Sequence, residues 1–332
     1  MKTPFFVVLS MVVCLPFLSC GKEEPWNGKE PSFPENPQPS VSEPFSPRWV
    51  SLVDNSVDEQ SIDISTRYLG IQGTTCVASP PPVYVGAVFP ENSFAAAFDR
   101  EVTHLKNPVG LTFDFPNPYL TSMDDVRESG YWKKIKEVLR SEEYKSYTFP
   151  KSPYQVQFAE LDSLSHVEAC FPDNKRFGHE FEKVGRQWLK MKGVKSLLLG
   201  RIVFKGFTVS MDVPAKGLFV DEALQSDEWV YVRTLTYGAT AYCLIASEYS
   251  FSDTMEALKT SFVLDKDRPE EVLSRSQIVL LTVSDISQEA GVCTTFEDLN
   301  RFINNPLGDG VAYGYPIFCK GFYTKDNRAF IK

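Results

Sequence analysis

Histidine is scarce in this chain of 332 residues: His104, His166 and His179 are the only three. None belongs to an H-E-x-x-H pair, which would set two metal ligands one turn apart on a helix face. Also missing are a G-x-S-x-G elbow for a strained serine nucleophile, a Walker phosphate loop and any C-x-x-C pair. Gly308, Asp309, Gly310 and Gly314 match a cofactor loop only superficially, because Pro306 lies just before them and no strand leads in; the stretch reads as a turn. The adjacent carboxylates Asp124 and Asp125, Glu142 and Glu143, and Glu270 and Glu271 read as solvated faces. The expectation is therefore a protein that is not an enzyme and has no metal or cofactor. Positive charge is short too. The formal net charge is −9, and losing Lys2 with a leader makes it more negative, so a nucleic-acid partner is not expected.

What is present begins at the amino terminus. Lys2 supplies a positive start, the apolar stretch 5–18 follows, and Ser19 stands directly before Cys20. A membrane-crossing helix needs roughly twenty apolar residues, whereas a secretory leader needs about 7–15 and small residues at the cut. Residues 1–19 therefore read as a signal peptide. The small residue before Cys20 resembles the lipobox of bacterial lipoproteins, with Phe17 where leucine is usual, and this makes Cys20 the expected lipidation site. Gly21, Lys22, Glu23 and Glu24 are similar to the charged tag that carries some lipoproteins to the cell surface. The expected location is the outer membrane, exposed outward and held by lipid. Pro25, Pro31, Pro34, Pro37, Pro39, Pro44 and Pro47 then fall in a stretch with little apolar periodicity, so residues 20–47 read as a disordered, extended tether.

Residues 48–332 read as the folded body. With 43% hydrophobic and 13% aromatic residues, the chain can bury a sizeable core. Of seven cysteines, Cys14 leaves with the leader and Cys20 takes lipid. Cys76, Cys170, Cys243, Cys293 and Cys319 remain, an odd number that leaves at least one unpaired within the chain. Residues 83–89, 111–115, 278–283, 317–322 and 328–331 read as strands, and 131–139 as a helix. Two strand-like stretches, 197–213 and 230–247, far exceed the usual five or six residues, which implies strongly bent or extended sheets.

Two helices lie next to these long strands in sequence. Phe177, Phe181, Val184 and Trp188 form one apolar stripe on an otherwise charged segment. Met255, Leu258 and Phe262 repeat the pattern behind Phe251, with Ser252 as the expected cap. The spacing predicts helices and not lipid-facing strands. Alternate residues from Phe251 include Asp253 and Lys259, and the first stripe has His179 and Lys183 among Phe177 and Phe181.

At this point the residues resemble a family. Arg176, Phe177, Gly178, His179, Glu180, Phe181, Glu182 and Lys183 look like the K-F-G-x-x-F-E-K segment of the cholesterol-dependent, or thiol-activated, cytolysins of the perforin-like superfamily. Phe204 and Lys205 followed by Thr208, Val209, Ser210, Met211, Asp212 and Val213 are similar to the family's F-K-Q…T-V-S-V-D strand. Trp229 to Val232 with Tyr237 and Gly238 resemble its V-Y-I…Y-G-R strand, and Tyr315, Pro316 and Ile317 with Lys325, Asp326 and Asn327 its P-I-S-Y…L-K-D-N stretch.

The resemblance implies an α+β fold: a twisted, bent antiparallel sheet flanked by two helical clusters, each able to unfurl into a membrane hairpin. Phe177, Phe181, Val184 and Trp188 mark the first candidate hairpin, and Phe251, Met255, Leu258 and Phe262 the second. The implied function is assembly into a β-barrel pore, by self-association or with a longer cytolysin-like partner. Ala239 replaces the family's arginine, and 278–283 carries no Gly-Gly pair. The family's tryptophan-rich domain would follow Asn327, whereas the sequence stops at Lys332, so cholesterol binding is not expected. Two other functions fit the sequence: a non-lytic decoy or self-protection relative, and a surface lipoprotein that binds ligands through exposed aromatics.

Overall fold

The computed structural model describes residues 45–78, 83–263, 271–285, 289–308 and 313–332. The leader, Cys20, most of the expected tether, Glu270, Asp309 and Gly310 lie outside the described residues. In chain order the elements are β1 (Trp49–Asp54), β2 (Ile62–Asp63), β3 (Leu69–Gln72), β4 (Thr75–Ala78), β5 (Val88–Pro90), α1 (Glu91–Ala96), β6 (Val109–Phe113) and β7 (Tyr119–Met123). Then come α2 (Glu128–Val138), α3 (Glu142–Lys145), β8 (Gln155–Leu161), α4 (Lys175–Trp188), β9 (Ser196–Met211) and β10 (Trp229–Ser247). The chain finishes with α5 (Phe251–Val263), α6 (Glu271–Ser274), β11 (Ser276–Val283), β12 (Glu289–Gly291), α7 (Phe296–Asn304) and β13 (Tyr315–Tyr323).

A ten-stranded antiparallel sheet runs β1-β8-β9-β10-β13-β2, with β11 and β5 also on β10, β6 on β9 and β7 on β6. A small sheet holds β12, β4 and β3. The expected twisted, bent antiparallel sheet with helices on it is the architecture found. β9 and β10 are 16 and 19 residues long and thread three hydrophobic cores. Their lower halves, with Val209, Met211, Val230 and Leu235, join Phe89, Phe113 and Tyr131 in an aromatic-rich core. Their upper halves are buried on both faces. Val203 and Leu244 point to one side, and Ile202 and Ile245 to the other. Burial on both faces explains why the sequence shows near-continuous apolar runs there instead of clean alternation.

The bend falls where the lower core gives way to the two upper ones. The β9–β10 register shifts between Thr236 and Gly238, and the β10–β13 register between Thr236 and Tyr237. An extra residue on one strand bends it and increases its twist. A Cβ on Gly238 would lie 2.1 Å from the Phe204 carbonyl oxygen, so only glycine fits the closest approach of β9 and β10.

Three expectations need correction. Of 83–89 only the end is strand, in β5. Val83, Tyr84, Val85 and Ala87 are buried in a turn, so their apolarity reports burial and not extension. Residues 328–331 form no strand: Ala329 makes one bridge to Phe322, and Phe330 packs its ring 5.1 Å from Phe94. Ser252 does not cap α5. Ser250 does, its hydroxyl accepting from the Asp253 N–H at 3.2 Å and donating to the Asp253 carboxylate at 2.6 Å. α7 was not anticipated. It is capped by Thr295, whose Oγ1 accepts from the Asp298 N–H at 3.1 Å, and it buries Leu299 and Phe302.

Candidate functional site

The candidate site is the upper half of the sheet with the helices that cover it. α4 starts at Asn174, whose side chain accepts from the Phe177 N–H at 3.0 Å while its amide nitrogen donates to the Thr66 and Leu69 carbonyls. The helix then buries Phe177, Phe181 and Val184 against Leu197, Leu199, Tyr242 and Leu244. Gly185 brings the axis close to the sheet, since a Cβ there would meet Leu244 Cδ1 at 2.7 Å. Glycine inside a helix costs about 1 kcal/mol relative to alanine, which the closer contact offsets. Trp188 is a correction to the stripe: it is 45% exposed. The helix ends there, Leu189 turns extended, and Leu189 is the residue that is buried. On the outer face, Glu180 pairs with Lys183 at 2.9 Å and Glu182 with Arg186 at 2.6 Å. Such exposed pairs contribute a few tenths of a kcal/mol.

The opposite face carries α5, α6 and α7. Met255, Ala257, Leu258, Leu273, Leu299 and Phe302 are buried against Phe158, Ile202, Phe204, Ile245 and Leu280. Phe251 and Phe262 are only partly buried at the rim of this cluster. The two residue sets predicted from sequence are thus not brought together. They lie on opposite faces of one sheet, which keeps four strands, β8 to β11, between them.

Both helical segments leave from the same end of those strands. Leu161 at the end of β8 stands opposite Leu197, and Ser247 at the end of β10 stands opposite both Ser196 and Ser276. Residues 162–195 connect β8 to β9, and residues 248–275 connect β10 to β11. Each connection joins antiparallel neighbours, as a hairpin would, yet its described residues carry helices, α4 in the first and α5 and α6 in the second.

Two polar clusters hold this arrangement, and sequence reasoning missed both. At the strand ends, Ser247 Oγ lies 3.0 Å from Thr254 Oγ1 and 2.9 Å from Ser276 Oγ, and it accepts from the Tyr249 N–H at 3.2 Å. Ser247 and Thr254 are fully buried, so the base of α5 is tied to the sheet by hydrogen bonds that water cannot replace. On the α4 face, the Arg201 guanidinium pairs with Asp63, whose carboxylate also accepts from the Ser65 hydroxyl at 2.7 Å. Tyr242 OH lies 3.0 Å from Ser65 Oγ, and Tyr315 OH donates to the Ser65 carbonyl at 3.1 Å. No sequence signal marks either cluster, because serines and tyrosines in apolar runs look like ordinary strand residues.

All five cysteines among the described residues are free thiols. Burial pushes Cys76, Cys170, Cys243 and Cys319 up to about 12, so at neutral pH they are protonated and unreactive. Among the described residues no cluster of side chains could hold a metal ion. No described helix is long and apolar enough to cross a membrane, which says nothing of crossing by strands.

No protein-family model matches the chain. No curated protein matches it either. Solved structures of cholesterol-dependent cytolysins do. Pneumolysin, described with its structure as a sugar binding protein, is similar at a TM-score of 0.59 with 17% identity over 86% of this chain and 62% of that one. The human-specific toxin intermedilysin is similar at 0.57 with 16% identity over 87% of this chain and 67% of that one. The cytotoxin suilysin from Streptococcus suis is similar at 0.56 with 18% identity over 85% of this chain and 62% of that one. At these identities the likeness is one of fold: the chain has a cytolysin-like fold and spans 62–67% of the length of these structures.

Proposed function

We propose that this chain is an exported surface lipoprotein, anchored through Cys20 at the outer membrane. Its body, residues 48–332, is a non-enzymatic pore-forming core that builds a β-barrel together with a partner subunit. The observation that carries the reading is the common exit of residues 162–195 and 248–275 from one end of β8 to β11. If each connection became a hairpin, the four strands would continue without changing neighbours. Each connection is long enough for two strands of the roughly 9–11 residues that cross a bilayer. Only a closed barrel satisfies every backbone group of such strands in lipid.

The energetics argue that this does not happen in the isolated chain. Exposing a buried Phe or Val costs about 1.5–3 kcal/mol each, and α4 alone buries Phe177, Phe181 and Val184. A lysine on the lipid face near the midplane adds about 2–4 kcal/mol, and the second connection holds Lys259. A partner subunit must supply the compensating strand pairing, and membrane recognition is assigned to that partner.

The test is dye release from lipid vesicles by the purified chain alone, by a longer cytolysin-like protein alone, and by the two together. Release only with both is expected. Release by this chain alone overturns the need for a partner, and no release with any such protein, on vesicles or bacterial cells, overturns the pore. A disulfide pinning the Phe181 turn of α4 to the sheet is expected to abolish release by the pair.

A further inference from the structure

One polar row crosses the α4 face of the sheet. Ser51 of β1 stands opposite Gln157 of β8, Gln157 opposite Arg201 of β9, and Arg201 opposite Tyr242 of β10, so the four side chains share that face. Trp49, two residues before Ser51 on the same strand, falls on the same face. Gln157, Arg201 and Tyr242 line a cleft of about 230 Å³ together with Trp49, Asp63, Thr66 and residues 170–173, which lead into α4. Its polar groups are held in place by one another. The Asp63 carboxylate accepts from the Ser65 N–H at 2.9 Å and from the Ser65 hydroxyl at 2.7 Å, and it pairs with Arg201 Nη2. The Gln157 amide donates to Ser51 Oγ at 3.3 Å. Groups fixed in this way lose little freedom when a ligand arrives, which favours binding.

We propose that this cleft binds one neutral pyranose ring, the exposed end of a glycan, with Trp49 against the ring and Arg201, Asp63 and Gln157 on its hydroxyls. The proposal does not depend on the pore. Charge argues against an ionic ligand, because Asp63 is matched by Arg201 and Asp173 by Lys332 at 2.9 Å. Donor and acceptor instead stand side by side, in the Arg201 and Asp63 pair and again within the Gln157 amide. A hydroxyl donates and accepts at once, so a ring carrying neighbouring hydroxyls satisfies both kinds of group. The aromatic lining points the same way. Trp49 is 36% exposed, whereas Phe171 and Tyr242 are buried, so the cleft has one aromatic platform and no cage around a cation. Such a platform covers the apolar C–H face of a sugar while the polar groups take its edge. Size sets the length of the ligand. The cleft is smaller than the roughly 300–1,000 Å³ of sites for larger molecules, so it holds a single ring.

The test titrates the full chain with the methyl glycosides of glucose, galactose, mannose and N-acetylglucosamine, read by saturation-transfer NMR. Saturable binding of at least one glycoside is expected, with a dissociation constant on the order of 1 mM for so small a ligand. Trp49→Ala is expected to weaken it about tenfold, the worth of one aromatic contact, while Trp49→Phe keeps most of the affinity. Gln157→Ala serves as a second, independent variant, and unchanged urea midpoints establish that both alanine variants are folded. No saturable binding of any of the four glycosides overturns the proposal. Affinity unchanged in both alanine variants places the sugar elsewhere and overturns it as well. Choline and acetate are the controls for ligand class: displacement of the glycoside by either at equal concentration overturns the assignment to a neutral sugar. Glycoside binding that depends on Trp49, in a chain that gives no dye release with any partner, supports the cleft and counts against the pore alone.

Discussion

Gly314 packs its backbone directly against that of Gly238: a Cβ built on Gly314 would lie 2.6 Å from the Gly238 carbonyl oxygen and 2.8 Å from its nitrogen. Gly314 also holds a φ of +92°, in the region that favours glycine. The contact sits at the bend of β10, where the lower and upper cores meet, and fixes where β13 begins.

Replacing Gly314 with alanine is therefore expected to cost roughly 2–3 kcal/mol, by clash and backbone strain together. Urea unfolding checks this. A midpoint within error of wild type would show that the contact is not what fixes the bend.

The α4 stripe separates two aromatic residues that look alike in sequence. Phe181 is fully buried and Trp188 is 45% exposed. Phe181→Ala is expected to cost about 3–5 kcal/mol, and Trp188→Ala less than about 0.5 kcal/mol. Equal losses in chemical unfolding would place Trp188 in the core and overturn the helix end described above.

Stability is expected to fall at alkaline pH. Burial pushes Cys243 and Cys319 up to about 12, and Tyr231 and Tyr313 to about 12. In the unfolded chain the same groups ionise at about 8.5 for Cys and about 10 for Tyr. The folded form thus holds these protons more tightly. The stability they contribute is complete below about pH 8.5 and is lost progressively as pH rises towards 12. Melting temperatures from pH 8 to 11.5, read beside tyrosinate absorbance, should show ionisation and unfolding moving together; tyrosine titration at its ordinary value in a still-folded chain would contradict this.

Under the proposed anchoring, Cys20→Ala should move the protein from the membrane fraction to the soluble fraction, because acyl chains contribute about 0.8 kcal/mol per buried CH₂. Unchanged membrane retention, with no palmitate incorporated into the parent protein, would refute the lipid anchor.

The sequence by itself determined the features that repeat locally. The helical spacing of Phe177, Phe181 and Val184, and the long runs rich in β-branched and apolar residues in β9 and β10, can be read from neighbours a few residues apart, because helix and strand periods are properties of a single segment. What the sequence could not determine are relations between segments far apart in the chain. Trp188 satisfies the spacing of the stripe, yet the turn at Leu189 exposes it. Asp63 and Arg201, or Ser247, Thr254 and Ser276, give no sign of their pairing until the sheet sets them side by side. β1 is the sharpest case. Six residues just after a proline-rich stretch have no periodicity that announces a strand, and Leu52 and Val53 gain partners only because β8 presents an apolar edge. Burial and strand pairing are decided between elements, so the tertiary structure alone assigned α4 and α5 to opposite faces and placed β1 over the edge of β8.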